Sequence, residues 1–129
     1  TTLVKISGAS LPEMAAPDSY DITPVLMSEN YSSPLREATI HNTYANTWGI
    51  RKGKWLYIND STGGHRKLPA AFKALKGYSD FETEGLLFDM EKDVEQRVNL
   101  FNDFPDKVQE LKGLLDQYRG SESTVHLKK

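Results

Sequence analysis

The sequence predicts an α+β fold: a small antiparallel β-sheet of about four strands with a long C-terminal helix packed on one face. Three observations carry this. Residues 48–58, Trp-Gly-Ile-Arg-Lys-Gly-Lys-Trp-Leu-Tyr-Ile, read as a β-hairpin. Segments on either side of it have strand character, and Pro105 to Arg119 repeats apolar residues at three- and four-residue spacing.

In the hairpin, Lys52-Gly53 is the expected tip, because glycine accepts the positive φ of a tight turn. This register sets Arg51 against Lys54, Ile50 against Trp55 and Trp48 against Tyr57. Opposed residues share a face, so Trp48, Ile50, Trp55 and Tyr57 gather on one apolar side that needs a cover. The other side carries Arg51 and Lys54, a mildly repulsive pair suited to water or an anionic partner.

The remaining elements follow in chain order. Leu3, Val4 and Ile6 before Gly8 look like the last turns of a helix with a glycine C-cap, so the chain is expected to begin inside a helix (residues 1–8). Residues 9–35 form a loop-rich lead-in, with Ile22, Val25, Leu26 and Met27 able to form one or two helical turns after Asp21. Arg36 to Tyr44 is the first strand, and the hairpin supplies Trp48–Arg51 and Lys54–Ile58. A long polar excursion follows, with Gly63-Gly64 as a turn signal and a short helix at Pro69 to Lys76. Gly85–Met90 is the fourth strand, with Leu86, Phe88 and Met90 on one face and Leu87 and Asp89 on the other.

Val108, Leu111, Leu114, Leu115 and Tyr118 define the apolar stripe of the C-terminal helix. Pro105 suits its first position, Asp103 and Asp106 complement its positive end, and Gly120 suits its C-cap. Gly113 inside it costs about 1 kcal/mol relative to alanine. Sheet and helix occupy 36–119, and residues 120–129 are a polar tail.

At 129 residues the chain fits one domain with a single modest core. A net charge of −2 argues against a nucleic-acid partner, since such domains concentrate excess Lys and Arg on one face. No apolar run approaches the roughly 20 residues that cross a bilayer, and no signal-peptide pattern stands at Thr1, so no membrane partner is expected. The absence of cysteine excludes disulfides, thiolate zinc sites and a cysteine nucleophile within these residues.

His41, His65 and His126 show no metal-ligand spacing and read as surface or locally hydrogen-bonded residues. Asp89, Glu91, Asp93 and Glu95 lack the glycine and bidentate glutamate of an EF-hand loop and read as a solvated turn. Composition and spacing alone therefore support a helix-on-sheet module and no reaction.

The succession Gly49-Ile-Arg-Lys-Gly-Lys-Trp55, Leu87-Phe-Asp-Met-Glu-Lys-Asp93, Asn99-Leu100 and Phe104-Pro105 resembles the C-terminal end of the sulfatases. There, A-I-R-x-G-x-W-K-L precedes L-Y-D-L-x-x-D-P-x-E-x-x-N-L and a helix opening with proline. Leu3 to Pro12 and Asp21 to Leu26 resemble the segments upstream. Departures are Val94 where proline is usual, Trp55-Leu-Tyr for Trp-Lys-Leu, and a longer connection after the hairpin.

The resemblance implies a sulfuric ester hydrolase whose active site lies in a large α/β domain like that of alkaline phosphatase. A cysteine or serine in a C/S-x-P-x-R motif becomes formylglycine there and attacks sulfur beside a calcium ion. We place neither that motif nor a calcium ligand in this chain, so it resembles the C-terminal subdomain alone. It is expected to complete the fold and wall the substrate cleft, not to be catalytic by itself, and to carry no cofactor, with calcium and formylglycine in the catalytic domain.

Its partners are then that catalytic domain of the same parent chain and a sulfated substrate, a carbohydrate by preference, in a periplasmic or extracellular setting. The substrate-binding candidates are His41, Asn42, His65 and Lys67, with Arg51 and Lys54 adding positive potential. Separated from its partner, the chain is expected to expose apolar surface and self-associate. The alternatives are a free-standing binding or interaction module, or a fragment of a related phosphodiesterase or phosphonate hydrolase.

Overall fold

A computed structural model describes residues 1–12, 15–42, 46–61 and 68–121. It divides into two compact units, Ala38–Asp116 and Thr1–Glu37 with Gln117–Lys129.

The smaller unit contains α1 (Thr2–Ile6) and α2 (Thr23–Leu26). Alpha1 ends at Ser7, and Gly8 follows at φ +73°, the left-handed conformation expected of a glycine past a helix end. Asp21 accepts from the Thr23 N–H at 2.9 Å and pairs with Lys5 at 2.6 Å, which joins the start of α2 to α1. The Thr2 hydroxyl also accepts from the Ile22 N–H at 2.9 Å.

The larger unit is built on β1 (Thr39–Asn42), β2 (Trp48–Lys52), β3 (Trp55–Ile58) and β4 (Leu86–Asp89). They form one antiparallel sheet in the order β1-β2-β3-β4. Beta2 runs one residue beyond the expected Trp48–Arg51, the other three strands are shorter than the expected segments, and Thr43 and Tyr44 at the end of the first one lie outside the described residues. Two helices accompany them, α3 (Ala70–Lys76) and α4 (Pro105–Arg119). The last runs between the residues the apolar stripe predicts.

The hairpin register differs from the expected one. Lys52 pairs with Trp55, Arg51 with Leu56 and Ile50 with Tyr57, so the two-residue loop is Gly53-Lys54. Gly53 has φ +56° and Lys54 has no positive φ. The expected Lys-Gly tip would have placed a lysine first in the loop, where both primed turn types need positive φ. Putting glycine there removes that strain. Each partner is displaced by two residues, and because strand side chains alternate with period two, face membership is unchanged. Trp48, Ile50, Trp55 and Tyr57 still share a side.

That side lies under α4. Ile50, Tyr57 and Leu87 are buried, as are Val108, Leu111 and Leu115 of the helix. Phe104 meets Trp55 with ring centroids 5.2 Å apart and planes tilted by 54°, and Lys52 pairs with Glu110 at 3.2 Å. On the opposite side Leu56, Leu86 and Phe88 form a second cluster with Ile58, Phe81 and Met90. Phe81 arrives from the long excursion and meets Phe88 at 5.8 Å. Arg97 holds the same excursion by donating to the Lys76 and Gly77 carbonyls at the end of α3 and lying 5.0 Å from the Tyr78 ring.

The outer edge of β4 is also occupied. Leu100 N–H donates to Leu87 at 2.8 Å, and the Asn99 carboxamide accepts from Leu87 N–H at 2.9 Å while donating to Thr83 at 2.7 Å. The Asn99 side chain and the Leu100 N–H thus supply the ladder bonds that a fifth strand would have given. Beside it Gly85 is buried, because a Cβ there would lie 2.8 Å from the Ile58 carbonyl and from the Phe101 ring.

Candidate functional site

The sheet face away from α4 is apolar only over β3 and β4. Over β1 and β2 it carries Thr39, His41, Gly49 and Arg51, as the pairings Thr39↔Arg51 and His41↔Gly49 require. His41 and Arg51 are exposed, whereas Gly49 is buried. A Cβ on Gly49 would meet the Tyr57 carbonyl at 3.5 Å and Ile58 Cγ1 at 3.7 Å, ordinary contacts. Ile58 and Leu56 thus cover Gly49, and His41 and Arg51 stand exposed on the same face, Arg51 two positions along the strand from Gly49.

Asn42 is exposed too, but it pairs with Trp48 and belongs to the α4 side of the sheet. The structure consequently separates His41 from Asn42 and joins His41 with Arg51. His65 and Lys67 lie outside the described residues, as do His126 and Gly63-Gly64.

Lys54 does not add to this strip, and the expected Arg51–Lys54 opposition is absent. Lys54 sits in the turn, 2.7 Å from Asp89 Oδ2 and 4.9 Å from the Trp55 ring. Its hydrogen bond to Asp89 raises the lysine pKa and holds the buried Asp89 carboxyl below the usual carboxylate range. Arg51 opposes Leu56 and donates from Nε to the Gly53 carbonyl at 3.2 Å.

The acidic run 89–95 serves local structure. Asp89 Oδ1 accepts from Glu91 N–H at 3.1 Å, and Asp93 accepts from Arg97 and Val98 N–H groups at 2.9 and 2.8 Å. Among the described residues no three His, Asp or Glu side chains are grouped to hold a metal ion. Asp89 and Asp93 are thus occupied with backbone groups of their own turn.

The bare nucleophile pattern, by contrast, does occur once, as Ser32-Ser33-Pro34-Leu35-Arg36, and corrects the expectation that the chain lacks it. Ser32 is exposed on a loop of the smaller unit, and Arg36 lies 4.4 Å from the Tyr20 ring centroid. A five-residue pattern of common residue types is a weak signal without its structural context.

No family model matches the chain. Over 109 residues, 84% of its length, it is 32% identical to an N-acetylgalactosamine-6-O-sulfatase of Bacteroides thetaiotaomicron, of which it spans 20%. A solved structure labelled 6S-sulf, from work on the metabolism of multiple glycosaminoglycans by Bacteroides thetaiotaomicron, matches 93% of the chain with a TM-score of 0.67 and 28% identity. The chain covers 24% of that protein. A second structure, of a protein in complex with its substrate D-glucosamine-2-N,6-O-disulfate, has the same fold over 92% of the chain, with a TM-score of 0.61 and 20% identity. This chain covers 22% of it. The chain thus spans between a fifth and a quarter of the length of these proteins. With sequence and fold in agreement over nearly its whole length, the chain is related to the sulfatases and fits their C-terminal subdomain.

Proposed function

We propose that this chain is the part of a sulfuric ester hydrolase that completes the fold and walls one side of the substrate cleft, without being catalytic alone. The substrate is a sulfated carbohydrate. The observation that carries this reading is the strip His41–Gly49–Arg51, where an imidazole and a guanidinium stand exposed on one face of a sheet whose other face is closed by α4. The relative that is 32% identical supports it, being an amino-sugar 6-O-sulfatase.

The chemistry follows from the residue types. Imidazole both donates and accepts hydrogen bonds and so can grip sugar hydroxyls, while a guanidinium fork matches the paired oxygens of a sulfate or carboxylate. Rigid strands hold both groups in register, so their contribution is orientation of the sugar. Calcium and formylglycine would act in the remaining part of the parent protein, where they would polarise the ester and provide the nucleophile. A periplasmic or secreted location suits such a substrate.

In the full-length enzyme, His41→Ala is expected to lower kcat/KM for a sulfated sugar much more than for a small aryl sulfate, which lacks the sugar hydroxyls that His41 would hold. Equal activity of mutant and wild type on a panel of sulfated sugars would refute the substrate role. The purified 129-residue chain should turn over no aryl sulfate. Turnover that Ser32→Ala abolishes would overturn the non-catalytic assignment.

A further inference from the structure

A second feature lies away from the His41 strip. Between the hairpin tip and the start of α4 is a cavity of about 300 Å³ lined by Lys52, Gly53, Lys54, Trp55, Lys107, Glu110 and Leu111. This is the lower end of the range for small-molecule sites, roughly 300 to 1,000 Å³. Trp55 is half-buried, with Phe104 and the Lys54 ammonium near its ring, and of the three lysines in the lining Lys54 is paired with Asp89, which leaves Lys52 and Lys107 beside Glu110. With Asp89 counted beside Glu110, the lysines exceed the carboxylates by one, in a chain whose net charge is −2.

Two of the lysines converge on Glu110. Lys107 hydrogen-bonds to Glu110 Oε2, and Lys52 lies 3.2 Å from Oε1. Their hydrogen bonds, Lys107 first and Lys52 second, hold the Glu110 carboxyl below its ordinary value. One internal anion is thus shared between two cations at a half-open site. Lys107 also lies in the first turn of α4, where a positive charge opposes the helix dipole. Helix stability alone would favour an acid there.

We infer that this cleft binds an anionic sugar, with the ring against Trp55 and its sulfate or carboxylate between Lys52 and Lys107. Glu110 occupies the anion position in the free protein and gives way as the ligand enters. The aromatic surface provides apolar contact for a pyranose ring, and the ammonium groups provide the charge. The site is separate from the His41 strip and does not depend on the role proposed for it. It would give the subdomain a second hold on a polyanionic glycan, and two linked holds raise avidity through effective concentration.

The test is calorimetric titration of the 129-residue chain with a chondroitin-6-sulfate hexasaccharide, its desulfated counterpart and sodium sulfate. The sulfated sugar should bind and the other two should bind much more weakly. Lys107→Gln should weaken binding about fivefold or more. Glu110→Gln should tighten it, because the internal competitor loses its charge. Lys112→Gln, which removes an exposed charge outside the cleft, and His41→Ala should each leave it unchanged.

The opposite response of the Lys107 and Glu110 variants is what a purely structural role for the cluster cannot produce, since either change would then loosen the helix start. Weakening by Glu110→Gln, or an effect of Lys112→Gln equal to that of Lys107→Gln, would overturn the site. Loss of binding in His41→Ala without loss in Lys107→Gln would move the ligand to the other strip. Sodium sulfate binding as tightly as the hexasaccharide would overturn sugar recognition.

Discussion

Lys54 reaches from the hairpin turn to Asp89 at the end of β4, with 2.7 Å between Nζ and Oδ2. Their strands are neighbours, and the contact fixes the tip over a carboxylate that is buried. The Met90 N–H donates to the Lys54 carbonyl at 2.7 Å, so backbone and side chain of one residue hold the same corner. Asp89→Asn should lower the thermal midpoint and raise the mobility of residues 52–55. Hydrogen exchange at those amides is the direct measurement.

The pH dependence follows from the same pair. Hydrogen bonding to Lys54 depresses the pKa of Asp89 in the folded state, and pairing with Lys5 lowers that of Asp21 to about 2. For a carboxyl depressed on folding, the stabilising contribution is fully present above the unfolded value near 3.9 and is lost as pH falls through the folded one. The melting temperature should therefore be insensitive to these groups above about pH 5 and fall below about pH 4. In Asp89→Asn the acid-side decline should be shallower, because one depressed carboxyl has been removed. An unchanged profile would refute the coupling.

Gly85 has no room for a methyl group. A Cβ would come within 2.8 Å of the Ile58 carbonyl, and backbone cannot swing aside as a flexible side chain does. Gly85→Ala should cost about 1–3 kcal/mol, typical of overpacking. Gly113→Ala, on the exposed side of α4 with open space around it, should instead stabilise by up to about 1 kcal/mol. Chemical denaturation of the two variants gives both signs in one experiment.

Leu111 is 1% exposed and lies where α4 meets the hairpin. Leu111→Ala should cost about 2–5 kcal/mol, a large share of the stability of a domain this size. Leu111→Asp should unfold the larger unit. Circular dichroism showing native helix and sheet in Leu111→Asp would contradict the packing.

The smaller unit exposes Leu3 and Met27 at 80% each and Leu26 at 60%. Apolar surface of this kind favours association. Sedimentation velocity should show concentration-dependent self-association of the 129-residue chain, reduced by Leu26→Ser together with Met27→Ser. A strictly monomeric profile at high concentration would contradict it.

Much of this architecture is written locally. The three- and four-residue spacing of Val108, Leu111, Leu115 and Tyr118 led to a helix over Pro105–Arg119, and all four side chains are buried. Alternation in residues 48–58 and 86–89 was enough to assign faces, because period two survives an even shift of register. The motif succession was enough to indicate the sulfatases, since it needs only residue identity and order.

What required the tertiary structure was pairing between segments distant in sequence. Arg51 and Lys54 were expected to oppose each other, but the turn that glycine prefers put Lys54 at the tip, where Asp89 was within reach. His41 and Asn42 were candidates together, and only the β1–β2 register showed which face each takes and that Arg51 accompanies His41. Nor did any local pattern show that Asn99 closes the β4 edge, that Phe81 fills the second core, or that Lys52 and Lys107 meet at Glu110. Periodicity is a property of a single element and can be read along the chain. Register, edge closure and ion pairing depend on which surfaces meet, and the folded chain decides these by burying apolar area while leaving few buried polar groups unpaired.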